Sequence, residues 1–136
     1  MTTQSAAPNI YPYLRYSDPD AALEWLASAF GFEERVVFPG SDGKVAHAEM
    51  AFGPGVIMLG PASDGEEPAQ PQDPRMARHG IYVHVDDVDE HYARAKAAGA
   101  EIVTELSERR PGEREYYARD LEGNHWTFGT YRPSES

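Results

Sequence analysis

The chain contains no cysteine, which excludes disulfides and thiolate metal sites and fits any redox compartment. No apolar run approaches the ~20 residues that a membrane helix needs, so no membrane partner is expected. The amino terminus, MTTQSAAPNI, lacks the basic start and apolar core of a secretion signal, which makes the cytoplasm the expected location. Positive charge is scarce as well. Twelve Lys and Arg against 23 Asp and Glu give a formal charge of −11, which argues against a nucleic-acid partner because phosphates would be repelled. The acid excess suits cationic partners or plain solubility. At 136 residues, with 40% hydrophobic and 26% charged side chains, the chain is long enough for one globular domain with a core of its own.

What the chain does have is a repeat. A strand-like run leading into a capped helix, YPYLRYSDPDAALEWLASAFG from Tyr11, recurs as GIYVHVDDVDEHYARAKAAG from Gly80, 69 residues later. The same spacing pairs Asp18 with Asp87, Asp20 with Asp89 and Met58 with Thr127, and it brings the hairpins EMAFGPGVIML and ARDLEGNHWTF into register.

Each copy reads β-α-β-β-β. Residues 1–9 are small and polar and read as a frayed arm, and Ile10 to Tyr16 has strand composition. Ser17-Asp18-Pro19 starts a helix, with a capping side chain, proline at the first position and Asp20 at the positive dipole end. Leu23, Leu26 and Phe30 form its buried stripe, and Gly31 ends it. Strands follow over Glu33–Phe38, Val45–Phe52 and Val56–Leu59, with turns at 39–43 and at Gly53-Pro54-Gly55. Residues 61–79 hold four prolines and read as a linker. The second copy gives a strand at Ile81–Val85, a helix at Val88–Ala98 ended by Gly99, a strand at Ile102–Leu106, and a last hairpin of Glu115–Arg119 with Asn124–Thr127. One domain over 1–136 is expected, built of modules 10–60 and 80–131. The class is α+β, with a mixed sheet curved around a cleft and helices on its outer face.

A tandem β-α-β-β-β duplication that closes on Tyr117-Ala-Arg-Asp120-Leu-Glu-Gly123-Asn-His-Trp-Thr127 resembles the vicinal oxygen chelate superfamily of glyoxalases, bleomycin-resistance proteins and extradiol dioxygenases. The resemblance spans Ile10 to Tyr131. In metal-dependent members it implies one ligand from the first and one from the last strand of each half. Alignment by the two Asp caps and the Asp-x-x-Gly turn puts Tyr11, Met58, Gly80 and Thr127 at those places. None is a good ligand for a hard or borderline cation, so neither a metal nor another cofactor is expected. The chain then looks like a bleomycin-resistance-type branch without metal ligands.

Strand parity groups the remaining candidates. Tyr11, Tyr13 and Arg15 share one side, as do Gly80, Tyr82 and His84. Met50 and Met58, with Tyr117, His125 and Thr127, complete an expected wall of rings and thioethers, suited to a flat aromatic ligand. The same parity turns Ala48 and Met50 inward and sends His47 and Glu49 to the other face, while His91 is read as solvated and Trp126 as packed beneath the helices. The bland reading is that several tyrosines belong to the core or to an interface.

Three functions stay open. One is metal-independent binding or sequestration of a small aromatic, cationic or antibiotic-like molecule. Another is an enzyme, either a lyase, isomerase or dioxygenase with relocated metal ligands, or a metal-free site with His84 or His125 as base and a tyrosine as acid. No carboxylate orienter for either histidine is evident in the sequence. The third is an interaction module. The resemblance also implies a homodimer, and the linker is long enough for modules to be exchanged between chains.

Overall fold

The computed structural model describes residues 8–63 and 79–133; most of the expected amino-terminal arm and of the 61–79 linker lies outside them. The described residues form two compact units. Residues 8–27 and 31–63 make up the first, and residues 28–30 and 79–133 the second.

In the first unit β1 (Tyr13–Tyr16) leads into α1 (Pro19–Trp25), followed by β2 (Glu33–Pro39), β3 (Val45–Phe52) and β4 (Gly55–Pro61). The sheet order is β1-β4-β3-β2, with β1 parallel to β4 and the other pairs antiparallel. In the second unit β5 (Ile81–His84), α2 (Val88–Ala97), β6 (Glu101–Arg110), β7 (Glu113–Arg119) and β8 (His125–Gly129) give the order β5-β8-β7-β6, again with only the first pair parallel. The architecture is α+β, two mixed sheets of identical topology, as the repeat predicts.

Both helices begin as their sequences dictate. Asp18 accepts from the Ala21 amide at 3.1 Å, and Asp87 from the Glu90 amide at 3.0 Å. Each supplies an acceptor to a first-turn N–H that has no helical partner. The next acid in each copy ties helix to strand: Asp20 accepts from the Val45 amide and Asp89 from Arg114. The first helix does not end as a plain α-helix. It continues as a π-helical turn over Leu26–Phe30, closed by Gly31 at φ 85°, a conformation that a side chain would strain.

Helix-facing positions of the sheets form the core. Tyr16, Ala48, Met50, Ile57 and Leu59 are buried in the first unit, together with Ala22, Leu23 and Leu26 of the helical segment. In the second unit Tyr116, Ala118, Trp126 and Phe128 are buried with Val88, His91 and Ala95 of α2 and with Phe30. Trp126 therefore lies on the helix side, as expected. The Asp-x-x-Gly signature is structural. The buried Asp120 carboxylate accepts from the amides of Glu122 and Asn124, both at 3.0 Å, and from the Trp126 indole at 3.1 Å, closing the β7–β8 turn.

Several expectations are corrected. β1 starts at Tyr13 rather than Ile10, and Tyr11 precedes it as an exposed residue whose phenol donates to the Pro8 carbonyl. Met50 pairs with Ile57 and is buried on the helix side, while Glu49 pairs with Met58. The β3–β4 hairpin closes on a Phe52–Gly55 pair, so Gly55 belongs to β4 and not to the expected turn, and a step of one residue exchanges the two faces. His47 and Glu49, not Met50, therefore share a face with Met58. His91 is 5% exposed, not solvated. β6 runs to Arg110, four residues beyond the expected end.

Candidate functional site

The face of each sheet turned away from its helix carries the site candidates. On the first sheet β1, β4, β3 and β2 contribute in order Tyr13; Met58 and Gly60; His47 and Glu49; and Phe38, all of one parity by the ladder register. The His47 ring lies between the other two, 6.2 Å from Tyr13 and 5.8 Å from Phe38 by ring centroids, and its Nε2 is 3.0 Å from Glu49 Oε2. Tyr13 is 49% and Phe38 55% exposed, so an apolar strip stays open to a ligand. Sequence reasoning selected Tyr13 and Met58 and missed Phe38 and His47, because it had the β3 faces reversed.

On the second sheet the ladder sets Tyr82 opposite Thr127, and Thr127 opposite Tyr117. His84 falls opposite Gly129 and His125 opposite Arg119 on the same face. Five predicted residues (Tyr82, His84, Tyr117, His125 and Thr127) are thus brought to one face. Burial, followed by the charge of Glu115, pushes the Tyr82 phenol above its ordinary pKa, so it stays protonated and donates to the Tyr131 carbonyl. His84 has a carboxylate neighbour after all: its Nε2 is 3.0 Å from Asp86, and its Nδ1 is 3.4 Å from the Tyr131 carbonyl. With both ring nitrogens turned to acceptors, it is poorly placed to take a proton from a substrate. His125 is buried, and Gly80 lies against it.

One device occurs in both copies. A Cβ built on Gly60 would come within 2.6 Å of the Tyr13 hydroxyl, and one on Gly129 within 2.9 Å of the Tyr82 hydroxyl. The two tyrosines are 69 residues apart, as are the two glycines. Each tyrosine lies across a neighbouring strand at a place that only glycine leaves bare, and it is laid down on the sheet instead of standing off it.

Residues 9–128 match the Glyoxalase/Bleomycin resistance protein/Dioxygenase superfamily. The chain belongs to that superfamily. It is 32% identical over 125 residues to an uncharacterized protein of Mycobacterium bovis, covering 90% of this chain and 82% of that one. The crystal structure of TioX from a Micromonospora species is similar at 35% identity and a TM-score of 0.73, covering 95% of this chain and all of that one. The genomically encoded fosfomycin resistance protein FosX of Listeria monocytogenes shares the fold, with 18% identity, a TM-score of 0.67, and 90% and 92% coverage.

The superfamily's divalent ion does not fit the residues present. Met58 and Thr127 bring a thioether and a hydroxyl from the last strands, Tyr11 lies outside β1, and Gly80 has no side chain. Among the described residues no three His, Asp or Glu side chains cluster closely enough to hold a metal. Among them, too, no helix is long and apolar enough to cross a membrane.

Proposed function

We propose that this superfamily member binds a small, flat aromatic molecule on an open sheet face, without a metal ion and without turnover. The observation that carries the reading is the ring strip of Tyr13, His47 and Phe38, its two outer rings exposed and Tyr13 laid over Gly60, with the Met58 thioether on the same face. Rings presented flat offer stacking area at little entropic cost, and Met58 adds an adaptable sulfur contact. The resistance proteins in the superfamily's description are consistent with an antibiotic-like ligand. The acid excess over the whole chain favours overall positive charge on it.

The test combines elemental analysis of purified protein with a thermal-shift screen of planar aromatic compounds. Several hits with less than one-tenth equivalent of transition metal support the reading. One tightly held equivalent of zinc, nickel, manganese or iron per chain would sink it. The competing reading is acid–base catalysis at His84, against which the acceptor contacts of both its ring nitrogens argue. Turnover of a hit compound that disappears in His84→Ala, with the fold intact, would replace binding by catalysis.

A further inference from the structure

Arg109, near the end of β6, reaches the open face of the second sheet. Its Nη1 donates to the Tyr117 phenol oxygen at 2.6 Å and to Glu115 Oε2 at 2.9 Å, and its guanidinium lies 5.9 Å from the centre of the Tyr117 ring. The Tyr117 oxygen thus accepts from a cation, while its own O–H proton has no acceptor among the described residues. Thr127, directly opposite in the ladder, likewise has a hydroxyl without a partner among them. Both hydroxyls can donate to a ligand on this face.

The charges decide which acceptor. The hydrogen bond to Tyr117, ahead of the charge of Glu115, holds the Arg109 guanidinium above its already high pKa, so the cation is permanent. Glu115, at contact distance, cancels it. A ligand carboxylate placed here would gain Arg109 and meet Glu115; a ligand ammonium would do the reverse. A neutral oxygen meets neither penalty and receives an O–H polarised by the guanidinium, a stronger donor than an isolated phenol.

We infer that Tyr117, positioned and polarised by Arg109, donates to the carbonyl oxygen of an aromatic ligand lying on this face of the second sheet, against the exposed Tyr82 ring, so the ligand class is an aryl ketone, aryl amide or quinone. The inference rests on the aromatic-binding reading above and adds the polar group to it. Any positive charge on the ligand then belongs away from this corner.

Equilibrium titration with naphthalene, 2-naphthamide and naphthalene-2-carboxylate tests it. The amide is expected to bind about five- to tenfold more tightly than naphthalene, the worth of one good hydrogen bond. Tyr117→Phe should bring the ratio of the two affinities to about one. Glu115→Gln should raise the affinity for the carboxylate about tenfold by leaving the guanidinium uncompensated. Should Tyr117→Phe fold poorly, Arg109→Met on the exposed end of β6 reads the same ratio. Amide and naphthalene bound equally by the parent protein, or a ratio indifferent to both substitutions, overturns the inference and leaves aromatic binding standing. Failure of all three compounds to bind overturns both.

Discussion

His91 offers a test of the core that has both a size and a sign. It sits among the Phe30, Tyr116 and Phe128 rings, 4.3 Å from Phe128 by ring centroids. Its Nε2 faces the Phe30 carbonyl at 2.8 Å and must donate to it; its Nδ1, 2.6 Å from the Tyr116 hydroxyl, then accepts. The neutral ring satisfies both contacts. Burial lowers the His91 pKa from 6.5, more than the Phe30 contact and Glu90 raise it, and Arg94 lowers it further. Burial also raises the pKa of Tyr116, so that phenol remains a donor. His91→Phe keeps the ring and strips both partners, each left unpaired at about 1–3 kcal/mol. The sum, about 2–6 kcal/mol, corresponds to a fall in melting temperature of roughly 7–20 °C for a chain of this size. The sign with pH follows from a depressed folded-state value. Stability from the neutral ring is fully present above 6.5 and is lost as pH falls through the lowered folded pKa. Circular-dichroism melts from about pH 8 to about pH 5 should therefore show the gap between parent and variant narrowing toward acid. A variant that melts within about 2 °C of the parent at neutral pH, or a gap that widens in acid, refutes the argument.

Asp120→Ala removes the acceptor for two amides and an indole at the β7–β8 turn. Denaturant titration should show a loss of about 3–5 kcal/mol, and a loss below about 1 kcal/mol would mean that the turn closes without it. The two copies' glycines should respond unequally. A methyl at Gly129 meets the Glu115 Cβ at 2.9 Å and the Arg114 carbonyl at 3.1 Å, whereas at Gly60 its nearest neighbour is the movable tip of Tyr13. Gly129→Ala is expected to cost about 1–3 kcal/mol in a thermal melt and Gly60→Ala less, with the reverse order counting against the packing described. Tyr13→Ala, at an exposed ring, should leave the melting temperature within about 2 °C while weakening a planar probe several-fold; equal probe affinity would remove Tyr13 from the site.

Local signals were readable in the sequence, and long-range ones only where the repeat carried them. The Asp18 and Asp87 caps lie within three residues of the amides they bind, so spacing alone reveals them. The grouping of Tyr82, His84, Tyr117, His125 and Thr127 needed only strand parity in a copy with an ordinary register. Met50 failed because the face of β3 depends on which residues close the Gly53-Pro54 turn, and composition does not fix that pairing. His91 carried a usable signal that polarity masked: with Val88 and Ala95 it lies on the buried stripe of α2. Arg109 was invisible because the polar run from Ser107 to Arg110 does not look like a strand, yet β6 continues through it as one partner of β7.

The π-helical turn has a consequence for how the two halves of the gene product can be separated. Residues 28–30 are encoded in the first copy but counted, by packing, with the second, where the Phe30 ring lies 4.7 Å from Phe128 and its carbonyl receives His91. A polypeptide cut in the linker would give a carboxy-terminal fragment missing an aromatic plug and a hydrogen-bond acceptor, and an amino-terminal fragment carrying both with nothing to fill. The core of the second copy is therefore completed by residues that the first copy encodes.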